Sequence, residues 1–445
     1  MKLNIRRVVL LSAFSRLVCI FISFFVNDIF SGLRNTGILN LYLDNESKKY
    51  QNTITWKFVK SFINWDGEYY LRVSYFGDYE YEHQHAFFPL YPMMVNVISR
   101  LFYKLSESRI IINMIVGVFL SNLAFIIASV GLYLFQCELN KRIKIKNVVF
   151  PGVSTLFFIF PSSNIFNSAM YSESLFACFN FWSAFFILKA EHYSKKNGFY
   201  SFKNIIYLIS SVLFMSLTSG VRSNGILNSI PLFLYFLSTT PTPSRNLSNI
   251  TPFFIHWSIA FTLFITSISP FLAYLTFSYL RYCINLNIPR PWCYKQIPNI
   301  YSFVQGEYWN NGPFNYWKIQ KIDRFIIVIP CITVSFMSLS MFLKYSKKNK
   351  FSENIRATIN NVLQNFNNAS TFIGYAFQIY FLLLSIPIFG YIEVLIRLLN
   401  CIPVFFTFIG YVYHSYPKYS KYILLFQIFS FIFGNIWFPN FLPWT

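Results

Sequence analysis

The chain has 445 residues, 55% of them hydrophobic, 21% aromatic and only 12% charged, with a formal net charge of +21. A soluble domain carries about 25% charged residues, so this composition excludes an ordinary water-soluble fold and makes the bilayer the natural solvent. The positive excess does not indicate nucleic acid, because the basic residues sit in short clusters between apolar stretches instead of forming one stripe.

In chain order, Lys2, Arg6 and Arg7 precede an apolar run from Val8 to Val26. The run is long for a signal peptide and no small-residue cleavage site follows, so it reads as an uncleaved first span with a cytosolic N-terminus. The polar stretch 27–109 forms the first large loop. Within it Ala86–Tyr103 is apolar but interrupted by Pro89, Pro92, Asn96 and Arg100, which suits a helix lying in the membrane interface. Further apolar segments occur at 110–136, 148–161, 173–190, 205–219, 226–238, 252–282, 325–343, 370–388, 398–413 and 421–438. Together they predict about eleven spans, several of them short, tilted or broken. Thr239–Asn249 is a turn-rich connector. With the N-terminus in the cytosol, Lys141–Lys146, Lys195–Lys203, Arg245, Lys344–Lys350 and Lys418–Lys421 all fall on the cytosolic side, as the positive-inside rule requires. Segments 27–109, 162–172, 220–225, 283–324 and 389–397 fall opposite, with the C-terminus. The predicted fold class is an all-α polytopic membrane protein, one membrane-embedded domain over 1–445.

Eight of the 16 acidic residues lie between Asp28 and Glu82: Asp28, Asp44, Glu46, Asp66, Glu68, Asp78, Glu80 and Glu82. Carboxylates contribute little to topology, so orientation does not demand this. The bland reading is a solvated loop; the functional one is a site needing general-base or metal-binding oxygens. The stretch Ile63–Arg72 holds Asp66 between Trp65 and Gly67. A tryptophan anchors at the bilayer surface, which would hold that carboxylate at membrane level, where it can take a proton from an attacking hydroxyl. The alternative is a helix-capping Asp in a turn.

Further along, Glu82, His83 and His85 can bond to a polar lipid head, with Arg72 and Arg100 as phosphate partners, or can belong to an ordinary surface loop. Two histidines one residue apart are a weak metal signal. Glu173 sits at the mouth of a span, either as a functional carboxylate or as a first-turn residue capped by Ser172. Arg222, at a break between apolar segments, suits a phosphate, or is an interfacial arginine that snorkels. In the loop 283–324 the aromatics suit sugar stacking or the interface. Glu393 and Arg397 lie one turn apart, spaced to pair with each other. The seven cysteines form no CxxC pair and no zinc spacing, and most read as apolar filler. Cys283 and Cys293 fall in or beside one non-cytosolic loop, where an oxidising compartment would let them pair. Asn45-Glu46-Ser47 is a glycosylation sequon in the first loop. No P-loop, GxGxxG before a helix, GxSxG or HExxH occurs, which leaves a Rossmann-type nucleotide-sugar domain without support.

Several stretches together resemble the GPI mannosyltransferase 2 family. They are Trp65-Asp66 with the following Tyr-rich run, Tyr81-Glu82-His83 through Ala86-Phe87-Phe88-Pro89, Tyr171-Ser172-Glu173-Ser174-Leu175-Phe176, Arg222-Ser223-Asn224-Gly225, Pro291-Trp292-Cys293, Tyr308-Trp309-Asn310 and Asn440–Thr445. They run in order from near residue 60 to the last residue. The resemblance implies a GT-C type glycosyltransferase of the endoplasmic reticulum membrane with a lumenal active site and Asp66 as base, although Glu68 stands close enough to be the alternative. It implies transfer of an α-1,6 mannose from dolichyl phosphate mannose to a mannosyl-glucosaminyl-phosphatidylinositol, the GPI precursor glycolipid. Arg222 is assigned to the donor phosphate. Trp65, Glu68, Glu82, His83, Glu173 and Asn224 are assigned to substrate positioning. No cofactor and no metal site is expected, and a small membrane partner subunit is compatible with the family. The competing readings are a GT-C enzyme of another pathway and a lipid transporter or flippase. Charges lining the spans would favour the transporter, whereas here carboxylates gather in one loop.

Overall fold

The computed structural model describes residues 3–27, 52–105, 108–142, 151–241, 250–347, 355–442 and 444. Asp28, Asp44, Asn45, Glu46, Arg245 and the basic clusters at 143–146 and 348–350 lie outside these residues. Among the described residues there are sixteen α-helices and no strand. They are α1 (Ile5–Val26), α2 (Ile54–Lys60), α3 (Asp66–Phe76), α4 (Leu90–Arg100), α5 (Arg109–Arg142), α6 (Pro151–Ile159), α7 (Glu173–Asn197) and α8 (Phe202–Val221), followed by α9 (Ser229–Thr239), α10 (Ile250–Tyr279), α11 (Ile300–Glu307), α12 (Ile322–Lys347), α13 (Ile355–Phe389), α14 (Val394–Leu399), α15 (Pro403–Ser415) and α16 (Pro417–Trp437).

Among the described residues six helical stretches are long and apolar enough to cross a membrane: Ile5–Val26, Arg109–Arg142, Phe202–Val221, Thr251–Ile284, Ser370–Phe389 and Pro417–Asn440. The expectation of about eleven spans therefore divides into these six and a set of shorter or more polar helices. Segments 148–161, 226–238 and 398–413 contain helices of only 9, 11 and 13 residues, which rise no more than about 20 Å and cannot cross the ~30 Å hydrocarbon core alone. In α15, Pro403–Val412 is buried throughout, so protein rather than lipid surrounds it.

At the centre stands α7, packed along α5 and α8. It carries Glu173 at its first turn and Glu191 near its other end, and the 18 residues between their positions rise about 27 Å. Both carboxylates are buried and ion-paired, Glu191 with Lys195 and Arg142, Glu173 with two arginines at the other end. The intervening length matches the hydrocarbon core, which explains how a helix too polar to stand among the six still serves as a central pillar. By contrast α10 turns Phe254, Phe261, Leu272 and Phe277 outward, as a helix at the lipid boundary does.

One charge lies inside the first apolar run. Arg16 of α1 is 2% exposed. It donates to the Asn164 carbonyl (3.1 Å), Ser168 Oγ (3.0 Å) and Ser15 Oγ (3.0 Å), and its guanidinium covers the Phe125 ring at 3.8 Å. A buried guanidinium needs polar partners, and the Arg16 Nη atoms find them in Asn164 and Ser168, so α1 clamps the 162–172 connection that leads into Glu173.

Among its described residues the first loop carries three helices, α2, α3 and α4. As expected of an interfacial helix, α4 is two-sided: Tyr91, Val95 and Asn96 are buried while Met93 and Val97 are exposed. The second loop is held by a Cys283–Cys293 disulfide with a Cα–Cα separation of 5.5 Å.

Candidate active site

Asp66 opens α3, and the residue before it sets its direction. Trp65 has φ +58° and ψ −121°, a left-handed backbone that a non-glycine residue adopts only when its surroundings enforce it. The enforcement is visible. Asn64 Nδ2 donates to the Phe438 carbonyl (2.7 Å), and the Trp65 ring packs on Phe441, itself at φ +60°. Tyr171 is fully buried. Its hydroxyl donates to the Asn64 carbonyl (2.9 Å) and accepts from the Asp66 amide (3.1 Å). The C-terminal segment and the 162–172 connection thus grip the turn from both sides. Asp66 is the first residue of the helix, not its cap, and its carboxylate points away from the α3 amides to Arg397.

Arg397 is the functional residue that sequence reasoning missed. Its Nη2 lies 3.1 Å from Asp66 Oδ2 and 2.5 Å from Glu173 Oε1, and its Nε lies 2.7 Å from the same Glu173 oxygen. The predicted Glu393–Arg397 pair does not form: Glu393 pairs instead with Arg324 (3.2 Å). The reason is geometric. Glu393 precedes the short helix α14 while Arg397 sits inside it, and α14 turns Arg397 into the protein, where it is 8% exposed over the rings of Phe166 and Tyr171. The available signal was charge balance, because a buried Glu173 at the same membrane face needs cationic partners.

Arg222 supplies the second one. Its Nη1 lies 2.7 Å from Glu173 Oε1 and 3.3 Å from Ser172 Oγ. The α8 helix ends at Val221, and Arg222 is extended before the 3-10 turn Ser223–Asn228. Gly225 makes this reversal possible, since a Cβ there would collide with the Thr218 carbonyl. Ser172 stands at the α7 N-cap position, yet its hydroxyl serves Tyr70 (2.8 Å) and Arg222, not the helix amides. Glu173 is therefore a shared counter-ion that orients both guanidinium groups. This is neither the simple dipole-favoured residue nor a group in the open.

These groups form one wall of a cavity of about 410 Å³. Asp66, Arg222 and Arg397 lie at its polar side with Ser223 and Asn224. Tyr70, Phe87, Tyr301 and Trp309 add aromatic surface. Leu382, Ile386 and Phe389 from α13 and Leu398 from α14 add further apolar lining. The Trp309 indole N–H is buried without a partner and so remains an available donor. The chamber is two-natured, lined both by charged and polar groups and by apolar side chains.

The other predicted residues fall elsewhere. Glu68 is buried in the first turn of α3, its Oε1 has no partner, and burial pushes its carboxyl up to about 7. It does not line the cavity. Glu82 opposes its burial by accepting from Arg290 (2.7 Å), Trp292 Nε1 (2.8 Å) and Tyr308 OH (2.8 Å), and these bonds hold its carboxyl below the usual range. These bonds tie the disulfide-closed loop to the turn Glu82–Ala86. His83 stacks on Tyr81 and His85 lies buried against Tyr274 (2.9 Å), so the two rings serve different clusters. Arg72 pairs with Glu80. Trp65 lies outside the cavity and acts on Asp66 through the backbone.

A buried carboxylate–arginine cluster that opens on a half-apolar chamber, set in a bundle of membrane-length helices, is the architecture of a polytopic membrane glycosyltransferase. Comparison with known proteins gives the particular family: the chain belongs to the mannosyltransferase (PIG-V) family, which it matches over residues 5–445. It is 26% identical over 318 residues to "GPI mannosyltransferase 2" of Candida albicans, covering 70% of this chain and 73% of that protein. It is 26% identical over 332 residues to human "GPI alpha-1,6-mannosyltransferase 2", covering 65% and 62%. It is 25% identical over 417 residues to "GPI mannosyltransferase 2" of Drosophila pseudoobscura, covering 86% of each. Of the human protein the matched part is thus about three-fifths, and of the Drosophila protein most of the length.

Proposed function

We propose that the chain transfers the second mannose of the GPI anchor precursor, in α-1,6 linkage, from dolichyl phosphate mannose to a mannosyl-glucosaminyl-phosphatidylinositol, at the lumenal face of the endoplasmic reticulum. The observation that carries this is the meeting of Asp66, Arg222 and Arg397, through Glu173, in the lining of one chamber that also presents Leu382, Ile386 and Phe389. The donor has the same two-natured form, a sugar phosphate on a polyprenol. Its phosphate suits the two guanidinium groups that Glu173 orients, and its isoprenoid suits Leu382, Ile386 and Phe389.

In the transfer, the acceptor 6-hydroxyl oxygen bonds to the anomeric carbon of mannose while the bond from that carbon to the phosphate oxygen breaks. The hydroxyl proton passes to Asp66, and the bond's electron pair leaves with dolichyl phosphate, whose charge Arg222 and Arg397 stabilise. Attack opposite the leaving group inverts the anomeric configuration. The Trp309 N–H is placed to bond a sugar hydroxyl.

Asp66→Asn tests the reading. With donor and acceptor supplied to membranes, the variant should reach wild-type abundance and lose about 10²- to 10⁴-fold in transfer rate, the range of a general base. Near-normal turnover would remove Asp66 as the base. Cells lacking the chain should accumulate a one-mannose precursor, and a different stalled lipid would overturn the acceptor assignment.

A further inference from the structure

A second cavity, about 460 Å³, lies at the other end of α3 and α4, lined by Tyr75, Phe76, Asn96, Arg100, Tyr103 and Arg109. Among the described residues no carboxylate lines it. Arg72, Arg281 and Arg290, on neighbouring elements, each pair with an acidic residue, whereas among the described residues Arg100 and Arg109 have none. The Arg109 guanidinium rests over the Tyr103 ring at 5.6 Å, and Asn113 Nδ2 bonds the Tyr103 hydroxyl (3.0 Å), so the aromatic floor is fixed. The α3 helix stops at Gly77 with φ +74°, and a Cβ there would meet Arg100 Nη2 and Asn96 Nδ2 at 3.4 Å. The glycine keeps the cavity wall low beside the arginine. Two guanidinium groups that have no counter-ion among the described residues, set at one recess, form an anion receptor, and their fork geometry suits a phosphate.

The surroundings specify which anion. Met93, Val97, Leu101 and Leu105, on or just beyond α4, are exposed by 53%, 61%, 76% and 78%. This apolar strip beside the arginines is what a helix in the headgroup layer presents, with acyl chains below and phosphates at guanidinium level. The position also fits. Asp66 begins α3 and Phe76 ends it, so the second cavity lies about 15 Å along the helix from the base. In the proposed acceptor, inositol, glucosamine and mannose stand in line between the phosphodiester and the hydroxyl that reacts, three linked rings with an extended reach of that order.

We propose that Arg100 and Arg109 bind the phosphodiester of the acceptor glycolipid, and that its headgroup sugars run along α3 to Asp66. The site is a ruler: it selects an acceptor whose reactive hydroxyl lies at a set distance from the lipid phosphate. This rests on the acceptor named above.

The test uses the full chain in membranes, Arg100→Gln, Arg109→Gln and the double variant, and two acceptors. One is the natural glycolipid; the other carries the same sugars and lipid joined by a neutral linker. The acceptor KM should rise about tenfold for each arginine removed, with donor KM and kcat unchanged. Wild type with the neutral acceptor should show the rise of the double variant, about 100-fold, and the double variant should no longer distinguish the two acceptors. An unchanged KM, or an equal rise for both acceptors, overturns the proposal and leaves the pair as general interfacial anchors. Competitive inhibition of wild type but not of the double variant by inorganic phosphate at low millimolar concentration would make this a free-phosphate site and also overturn it. Absence of transfer to either acceptor by wild type would instead sink the acceptor assignment itself.

Discussion

Arg397→Lys isolates what the cluster does. The substitution keeps a positive charge but replaces a planar fork by a single ammonium. Arg397 makes three close contacts: Nε and Nη2 to Glu173 at 2.7 and 2.5 Å, and Nη2 to Asp66 at 3.1 Å. A lysine reaching from α14 satisfies the nearer Glu173 first and gives up the contact that orients Asp66. A hydrogen bond to a charged group contributes about 1.5–3 kcal/mol, which converts to a loss of about 10- to 150-fold in kcat/KM. The measurement is mannosyl transfer in membranes under limiting donor, repeated on Asp66→Asn and on the double variant. If Arg397 works by holding Asp66, the double variant should be no worse than Asp66→Asn by more than about threefold. A variant within threefold of wild type, or strictly additive losses, would refute the view that Arg397 positions the base.

The remaining predictions concern metal, pH and the second loop. Transfer should survive EDTA, since the reaction proposed uses one carboxylate and two guanidinium groups; complete loss restored by Mn²⁺ would refute it. Glu68, raised from an ordinary 4.5 to about 7 by burial, makes the fold's stability fully present below pH 4.5 and weaker as pH rises through 7. The loss amounts to about 3 kcal/mol. Glu68→Gln should flatten the melting temperature between pH 5 and 8 in detergent, and an unchanged slope would remove the residue as its source. Glu82→Gln should cost about 1–2 kcal/mol by weakening the bonds from Arg290, Trp292 and Tyr308, while substrate KM values stay unchanged. A selective rise in one KM would return Glu82 to substrate contact.

The fold class was legible because lipid imposes a coarse rule: an apolar stretch flanked by Lys and Arg reads the same in any context. The rule fails where protein replaces lipid. Segments 148–161, 226–238 and 398–413 are as apolar as a span but contain helices of only 9, 11 and 13 residues, because neighbouring helices, not length, keep their backbone from lipid. It fails in the other sense for α7, whose buried, ion-paired Glu173 and Glu191 lower its apolarity although it stands at the centre.

The site divides in a similar way. Asp66, Arg222 and Asn224 were reachable from local sequence because a break between apolar runs, or a carboxylate beside a tryptophan, is a local signal. Arg397 was not, because its partner by spacing, Glu393, is four residues away, while its partners in space, Asp66 and Glu173, are 331 and 224 residues away. Spacing on a helix predicts a pair worth only a few tenths of a kcal/mol. A buried carboxylate left without a cation costs several, so the fold satisfies Glu173 and leaves Glu393 to Arg324. The same ordering bears on mechanism. Glu173 carries one negative charge against the two positive charges of Arg222 and Arg397, so Asp66 completes the neutralisation. Arg397, held on Glu173 by two contacts, can therefore keep Asp66 oriented for the proton while a donor phosphate arriving from the chamber adds negative charge beside both guanidinium groups.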